Sequence, residues 1–395
     1  MSSQIGIGFS SHLDAEQAAT EAILQAQIGL GSPNIDLIIL LSTIHYDPQT
    51  VIQSIHQTIH CKKLIGCSTA GIILSESVQT RGIAILAMVS DDIHVGISSI
   101  ENLDKINLED AGKELARNIL SDFGPHSRQI FLSFIDGQIA DYSSLLKGLQ
   151  GIFGNIFPII GAGSSDDLRL EKTFQFYQNH TSRYSANGLI LGGQINVGIG
   201  AGHGWRPLGK PRIITKTEKN IIKEIDGKKA ALLYEQYFED KALDLYSTGL
   251  NQMTILYPLG VYIEGNKEYL LRNAIQGLED GSIICQGDVP SGAEVHIMIG
   301  NKESCRNAAL EAAQEAKKNL FGKPAKLVII IESMARLKLL GRMAHQEIAI
   351  IKQIFGATTP LLGMYSNGEI CPFESVDKFK KPLIQNESIV ILAIG

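Results

Sequence analysis

The sequence predicts an α/β protein built from two mixed-sheet α/β domains. Helices with one apolar face alternate with strands along the chain, which is typical of layered α/β folds. Residues 35–42 and similar runs are apolar at almost every position, as expected for strands that helices cover on both sides. The length of 395 residues exceeds what one hydrophobic core normally serves, which favours more than one domain.

The N-terminal elements follow this pattern in order. A first strand precedes a helix that Asp14 caps, and the alanines of that helix allow close packing on a sheet. A second helix begins after Asp47-Pro48, because proline is favoured in the first turn of a helix. The other predicted elements are strands at 82–90, 94–100, 128–137, 173–178 and 188–202, and helices near 108–119 and 141–153.

A stretch rich in glycine, proline and basic residues, "HGWRPLGKPR" at 203–212, predicts an irregular connection. The domain boundary is therefore placed there, giving domains 1–202 and 203–395. The elements predicted beyond it are a hairpin at 212–227, a helix at 228–238, two strands within 282–300, a helix at 304–320, a strand at 326–333, a helix at 341–355 and strands at 360–366 and 388–395.

Composition excludes several functional classes. The net charge of −6 lacks the basic footprint that nucleic-acid binding requires. The sequence shows neither a long apolar run for membrane insertion nor the basic, apolar start of a secretory signal. Its five cysteines are an odd number and scattered, as expected for reduced thiols. We therefore expect a cytoplasmic protein without a nucleic-acid partner.

One short motif occurs three times, as "LIGCSTAG" at 64–71, "IIGAGSSD" at 159–166 and "LLGMYSNG" at 361–368. Each copy closes the same strand-helix-strand unit, and repetition in matching context is stronger evidence than one copy. Glycines permit close approach, and hydroxyls can satisfy carboxylate or amide oxygens, so the turns predict a ligand-binding surface. Alternatively, the glycines only shape strand ends that pack together. The binding candidates are Gly66, Ser68, Thr69, Gly161, Ser164, Ser165 and Asp166.

Catalytic interpretations of these motifs are weaker. The first copy lacks the G-x-S-x-G spacing of a serine hydrolase, and Cys67 is better explained as inert packing. No nucleotide-binding glycine loop is present. His203 lies beside Trp205, where an imidazole and an aromatic wall could hold a flat cofactor, although a solvent-facing loop histidine is the plainer interpretation.

The order of several motifs resembles the paired FIST N and FIST C domains. These motifs are "IGCSTAG", "GAGSSDD", "GHGWRPLGKPR", "IDGKKAALLY", "YPLGV", "LRNAIQGLEDGSIICQGDVPSGAEVHIMIG" and "GMYSNGEICPF". The resemblance implies a sensory module for small ligands, amino acids among them. It adds Arg272, Arg336, Tyr365 and Glu369 to the binding candidates. The chain departs from the family pattern where Gln385 replaces a typical histidine.

The length is similar to that of stand-alone FIST proteins such as the nitric-oxide-sensing NosP group. That resemblance implies a haem cofactor, with His203 as the first candidate for its axial ligand, and a partner histidine kinase or other signalling protein in trans. The leading expectation is thus a non-enzymatic small-ligand sensor. An enzyme that uses Asp166, Arg336 or Glu369 on an amino-acid-like substrate is the alternative, and an interaction scaffold without a small ligand is a third.

Overall fold

A computed structural model describes residues 3–30, 34–167, 171–246, 252–263, 268–373 and 381–395. The predicted α/β class with mixed sheets is confirmed. The chain repeats one unit three times, in the order strand, helix, strand, helix, strand, hairpin, strand. The third unit carries a long insertion between its first strand and first helix.

The first unit spans residues 4–89. Its elements are β1 (Gln4–Ser10), α1 (Ala15–Ile28), β2 (Ile35–Ser42), α2 (Pro48–Thr58), β3 (Cys61–Ser68), β4 (Ile72–Leu74), β5 (Val78–Gln79) and β6 (Ile83–Val89). The predicted cap of α1 is confirmed, since Asp14 accepts a hydrogen bond from the Gln17 amide. Asp47 caps α2 in the same way, because its side chain accepts a hydrogen bond from the Thr50 amide.

The second unit spans residues 93–193. Its elements are β7 (Ile93–Ile100), α3 (Leu108–Phe123), β8 (Arg128–Ile135), α4 (Tyr142–Phe153), β9 (Ile159–Gly163), β10 (Gln175–Tyr177), β11 (His180–Ser182) and β12 (Ala186–Gly193). Asn107 and Asp141 cap the two helices through their side chains.

The insertion occupies 205–300. Its elements are β14 (Trp205–Glu218), β15 (Ile221–Ile225), β16 (Lys228–Lys229), α5 (Leu232–Phe238), a 3₁₀ helix (Glu239–Tyr246), α6 (Gln252–Leu256), β17 (Leu259–Val261), β18 (Leu270–Arg272), β19 (Ala274–Gly277), β20 (Ile283–Cys285) and β21 (Glu294–Gly300). The eight described strands of the insertion form a sheet of their own.

The third unit frames that insertion. Its elements are β13 (Val197–Gly202), α7 (Lys302–Lys318), β22 (Leu327–Ser333), α8 (Met334–Leu340), a 3₁₀ turn (Gly341–Met343), α9 (Ala344–Phe355), β23 (Leu361–Ser366), β24 (Glu369–Phe373), β25 (Lys381–Gln385) and β26 (Ile389–Ile394). The helix predicted at 341–355 thus begins as a 3₁₀ turn and follows a helix, α8, that the sequence did not predict.

The prediction of an irregular connection at 203–212 is wrong, because β14 runs through it. Pairing with β21 shifts between Leu208 and Arg212, and Gly209 has a φ of 76°. The irregularity thus interrupts the pairing without ending the strand. Pro211 lies within the unpaired part, as expected for a residue that has no N–H to donate to a partner strand. The change of composition therefore marks the start of the insertion.

Hairpins are exchanged in a cycle among the three six-stranded sheets. The hairpin β4–β5 of the first unit pairs with β23 of the third, β10–β11 of the second pairs with β3 of the first, and β24–β25 of the third pairs with β9 of the second. Strands from both sides of the predicted boundary at 202–203 consequently share sheets.

One apolar core lies between the three sheets, and the helices cover their outer faces. The inner core takes side chains from every unit, for example Leu41, Leu132 and Leu392, all nearly inaccessible to solvent. Because each sheet is covered on both faces, its central strands are apolar throughout, which explains the runs seen in the sequence. Among the described residues, no helix is long and apolar enough to cross a membrane.

Candidate functional site

The three repeated turns meet at one end of the shared core. Each turn comes directly after a strand that pairs in parallel with the preceding strand of its unit. The three parallel pairs are β3 with β2, β9 with β8 and β23 with β22. The equivalence extends to single bonds, since the Thr69 amide donates to Ser42 O at 3.0 Å and the Ser164 amide donates to Ile135 O at 2.7 Å. The threefold repeat that the motif indicated is therefore a property of the fold.

The turns bind one another directly. The Thr69 hydroxyl lies 2.8 Å from Tyr365 O, and the Ser165 hydroxyl also donates to Tyr365 O. The Ala70 amide donates to Ser165 Oγ at 2.8 Å, and the Ser165 amide donates to Ser68 O at 3.2 Å. All of these hydroxyls are inaccessible to solvent. The predicted role of the turn hydroxyls in ligand contact stays a prediction, because in this structure they join the three units.

The two candidate glycines allow neighbouring strands to approach. A Cβ atom on Gly66 would lie 1.8 Å from Leu40 O, and one on Gly161 would lie 3.0 Å from Ser133 O. The first distance is far below any tolerated contact, so only glycine fits at position 66. Their role here is close packing of β3 on β2 and of β9 on β8.

Polar candidates of the second turn fix the chain that follows it. Asp166 Oδ2 accepts hydrogen bonds from the amides of Glu171 at 2.7 Å and Lys172 at 3.2 Å. Ser164 Oγ accepts one from Gln175 Nε2 at 2.9 Å. Asp166 is thus a hydrogen-bond acceptor, as the sequence analysis favoured.

Arg336 is the centre of a buried ionic cluster on α8. Its Nε donates to Glu332 Oε1 at 3.1 Å, and its Nη2 donates to Glu347 Oε1. The same guanidinium donates to His203 O and, at 3.0 Å, to Cys305 O. All three charged side chains are wholly inaccessible to solvent. Arg336 therefore connects α8 to α9, to α7 and to the backbone just before the insertion.

Two carboxyl groups share one arginine in this cluster. Burial, and then repulsion from Glu347, raises the pKa of Glu332 well above its usual value. Within the described part of the chain no donor reaches Glu347 Oε2 with hydrogen-bond geometry, although the side chain is buried. A proton kept on Glu332 leaves one carboxylate opposite one guanidinium, which removes the unbalanced charge.

Glu369 is buried beside this cluster. Its Oε1 lies 2.6 Å from Ser366 Oγ, and its Oε2 accepts from the Ser388 amide at 3.1 Å and the Ser388 hydroxyl at 2.8 Å. Burial raises the pKa of Glu369 to about 7, against the effect of these hydrogen bonds. Glu369 is therefore partly protonated near neutral pH.

Arg272 joins the insertion to the third unit. Its Nε donates to Asp288 O at 2.8 Å, and its Nη1 donates to Ile384 O at 2.9 Å. The side chain is 3% exposed, so its donors are directed at the protein. We assign it a clamping role between β18 and β25.

His203 does not fit as the axial ligand of a haem. Its Nδ1 accepts a hydrogen bond from the Trp205 amide at 2.9 Å, so its Nε2 carries the proton and donates to Tyr269 O at 3.1 Å. Burial, and then Arg336, lowers its pKa to about 4, so the ring is neutral. Both nitrogens are occupied and the ring is 4% exposed. The alternative interpretation, a solvent-facing histidine, is wrong, because the side chain is buried.

An open cleft of about 920 Å³ lies against the first turn. One wall belongs to the first unit together with Asp167 of the second, and the other belongs to α8 and the segment after it. Its lining residues are His45, Ala70, Glu76, Ser77, Val78, Thr80, Arg81, Asp167, Met334, Leu337, Lys338, Gly341, Arg342, Ala344 and His345. Its volume is typical of sites for small molecules. Ala70 and Asp167 are the direct neighbours of the predicted Thr69 and Asp166, but the cations of the cleft, Arg81, Lys338 and Arg342, were missed.

The insertion covers the equivalent place on the third turn. There Gln286 Nε2 donates to Asn367 O at 3.0 Å, and the Asp288 amide donates to Ser143 Oγ at 3.0 Å. Asn386, which follows the third hairpin, donates to Gln286 Oε1 at 2.7 Å. The turn, the hairpin end and the start of α4 are thus bridged by protein, whereas the cleft beside the first turn is open.

The fold and cleft together define a protein with internal threefold repetition and a small-molecule-sized cleft. A family model described as the FIST N domain matches residues 36–228, and one described as the FIST C domain matches residues 230–372. The chain therefore belongs to the FIST family, whose domains are generally small-ligand sensor domains.

Related proteins cover different shares of the chain. An uncharacterized protein of Methanocaldococcus jannaschii is 24% identical to this chain. The aligned region covers 71% of this chain and 57% of the M. jannaschii protein. An uncharacterized protein of Mycobacterium tuberculosis is 22% identical over 93% of this chain and 95% of its own. A cyanuric acid hydrolase from A. caulinodans superposes with a TM-score of 0.35 and 8% identity, over 100% of this chain and 99% of its own. Such a similarity supports no statement about activity.

Proposed function

We propose that this protein is a non-enzymatic sensor whose small ligand occupies the open cleft. The observation that carries the proposal is the cleft itself, about 920 Å³ in volume and lined by both apolar and charged side chains. Sites for small molecules combine an apolar lining with a few polar groups that fix orientation. The cleft provides both, and it lies next to the first turn, which is hydrogen-bonded to the turns of the other two units.

Helix α8 provides a path from the cleft to the rest of the protein. Met334 and Leu337 line the cleft, whereas Arg336 of the same helix donates to His203 O, two residues before the insertion. Ala335 and Leu340 also pack in an apolar cluster with Trp205 of the insertion. A ligand that favours one position of α8 would therefore change the insertion. We propose that a partner in trans, a histidine kinase or another signalling protein, responds to that change.

Binding is favoured over catalysis by the placement of the candidate acids and bases. Arg336, Glu369 and Asp166 are inaccessible to solvent, and none of them lines the cleft. Catalytic groups must lie within hydrogen-bond reach of a substrate. This arrangement supports a structural role for the three residues.

The Thr80→Trp variant tests the cleft as the ligand site. Thr80 is exposed and lines the cleft, so an indole there is expected to occupy the ligand's volume. A compound present at about 100 times its Kd raises the melting temperature of the wild type by a few degrees, and we expect this rise to disappear in Thr80→Trp. Thr358→Trp, which changes an exposed threonine away from the cleft, is the matched control. A library of small metabolites that stabilises wild type and Thr80→Trp equally would refute the proposal.

Haem-based nitric oxide sensing stays a prediction from the resemblance to the NosP group. An absorption spectrum of protein purified with haem supplied, with and without nitric oxide, tests it. Because both ring nitrogens of His203 are hydrogen-bonded, we expect any Soret band to survive in His203→Ala. Loss of the band in that variant would show that His203 rearranges to bind iron.

A further inference from the structure

Arg81 is a pre-positioned cation in the cleft wall. Its guanidinium carbon lies 5.5 Å from the ring centroid of Tyr46, and the Tyr46 hydroxyl donates to His12 O at 2.9 Å. Tyr46 is 3% exposed and therefore holds a fixed plane beneath the guanidinium. Arg81 is thus oriented by an aromatic face.

One donor of Arg81 is buried without an acceptor among the described residues. Its Nε is buried and makes no hydrogen bond within the described part of the chain. A guanidinium presents five N–H donors in a planar fork that matches the oxygens of a carboxylate or phosphate. A buried donor without a partner is costly, so an acceptor supplied by a ligand would stabilise the site.

The backbone next to Arg81 is also fixed. The Gly82 amide donates to Thr43 Oγ1 at 3.1 Å, and Gly82 O accepts from the Thr43 amide at 3.0 Å. His45 Nδ1 lies 3.1 Å from the same Thr43 hydroxyl. Thr43 therefore fixes the His45 side chain and the backbone of Gly82, the residue that follows Arg81.

The opposite wall adds two more cations. Lys338 of α8 and Arg342 of the following turn line the cleft, and neither pairs with a carboxylate within the described ranges. The acidic residues of the lining are Asp167 and Glu76, and Glu76 already lies 3.0 Å from Lys352 Nζ. Both walls therefore contribute at least one cation to the cleft, and an anion between these cations would be favoured by both walls.

We propose that the cleft ligand is a small anion with a carboxylate or phosphate group, held by Arg81 from the first unit and by Lys338 and Arg342 from the third. This inference rests on the proposed function and assigns the chemical class of its ligand. An anion in this position bridges the first unit to α8 and so fixes the helix that carries Arg336.

Calorimetric titration at low ionic strength with succinate and, separately, with inorganic phosphate tests the proposal. We expect at least one of them to bind the wild type and the Arg117→Gln control, which removes an exposed arginine of α3 with the same change of charge. Arg81→Gln should bind that anion about tenfold or more weakly, because it loses a charge-assisted pair. Thr80→Trp should abolish the binding.

Each outcome separates the two proposals. Binding of succinate alone identifies a carboxylate ligand, and binding of phosphate alone identifies a phosphate ligand. Equal binding by wild type and Arg81→Gln overturns the assignment of Arg81. If neither anion binds while uncharged or zwitterionic compounds stabilise the wild type but not Thr80→Trp, the anion proposal fails and the proposed sensor function stands. If no compound stabilises the wild type, the proposed function fails.

Discussion

Replacement of Arg336 by methionine is expected to lower the free energy of unfolding by about 3–5 kcal/mol. The guanidinium is the cation that faces Glu332 and Glu347, and all three side chains are wholly inaccessible to solvent. Methionine fills most of the volume but leaves buried carboxyl groups and carbonyl oxygens without a donor. Urea unfolding of the variant and the wild type measures the difference.

Two further variants show whether the loss of stability in Arg336→Met comes from the buried charges and not from the lost side-chain volume. Arg117→Met, at an exposed position of α3, is expected to change stability by less than about 0.5 kcal/mol. The triple variant Arg336→Met, Glu332→Gln, Glu347→Gln removes the buried charges together and should recover more than half of the loss. A loss below about 1 kcal/mol in Arg336→Met would contradict the cluster described above.

Glu369→Gln is expected to stabilise the protein above pH 7 and to leave it nearly unchanged at pH 5. The Ser366 hydroxyl has one proton and lies 3.2 Å from Glu332 O as well as 2.6 Å from Glu369 Oε1. If the Ser366 hydroxyl donates its proton to Glu332 O, the hydrogen bond between Ser366 and Glu369 must be donated by the protonated carboxyl group of Glu369. A glutamine amide donates in the same place and still accepts from Ser388, so it imitates the protonated acid.

The sign of the pH dependence follows from the raised pKa of Glu369. Its folded value of about 7 exceeds its ordinary 4.5, so the folded state holds more protons between these values. The stabilisation is complete below about pH 4.5 and is lost as pH rises through 7, by about 3 kcal/mol for this group.

The difference between wild type and Glu369→Gln, measured by urea unfolding from pH 5 to 8, isolates this contribution. Glu279→Gln, at an exposed glutamate, controls for the loss of one carboxylate. Parallel stability curves for wild type and Glu369→Gln would show that Glu369 is ionised throughout.

Local elements were predictable because their causes are local. Strand 35–42 and helix caps such as Asp14 follow from apolar runs and side-chain hydrogen bonds within a few residues. The repeated turns were also predictable, since Thr69 and Ser164 occupy the same place in equivalent units. Hydrophobic periodicity and the repeated motif were therefore sufficient to predict the fold class.

Pairings between distant parts of the chain were not predictable in this way. Nothing near 72–79 indicates that this hairpin pairs with β23, almost 300 residues later. The cleft has the same origin, because the residues that line it, Arg81 and Lys338 among them, come from parts of the chain that are distant in sequence. His203 was misjudged because a glycine-rich stretch indicates a loop, although its ring nitrogens bind backbone groups inside the protein.

The cyclic exchange of hairpins sets the order in which the nascent chain can complete its sheets. The first sheet needs β10–β11, so it is complete only after residue 182 has been synthesised. The second sheet waits for β25 and the third for β26, within the last 15 residues. At about 5–20 residues per second, the second unit stays on the ribosome for about 10–40 s with the edge of β9 uncovered. Synthesis of β25 and β26, and not the emergence of either family domain, is therefore the event that completes these two sheets.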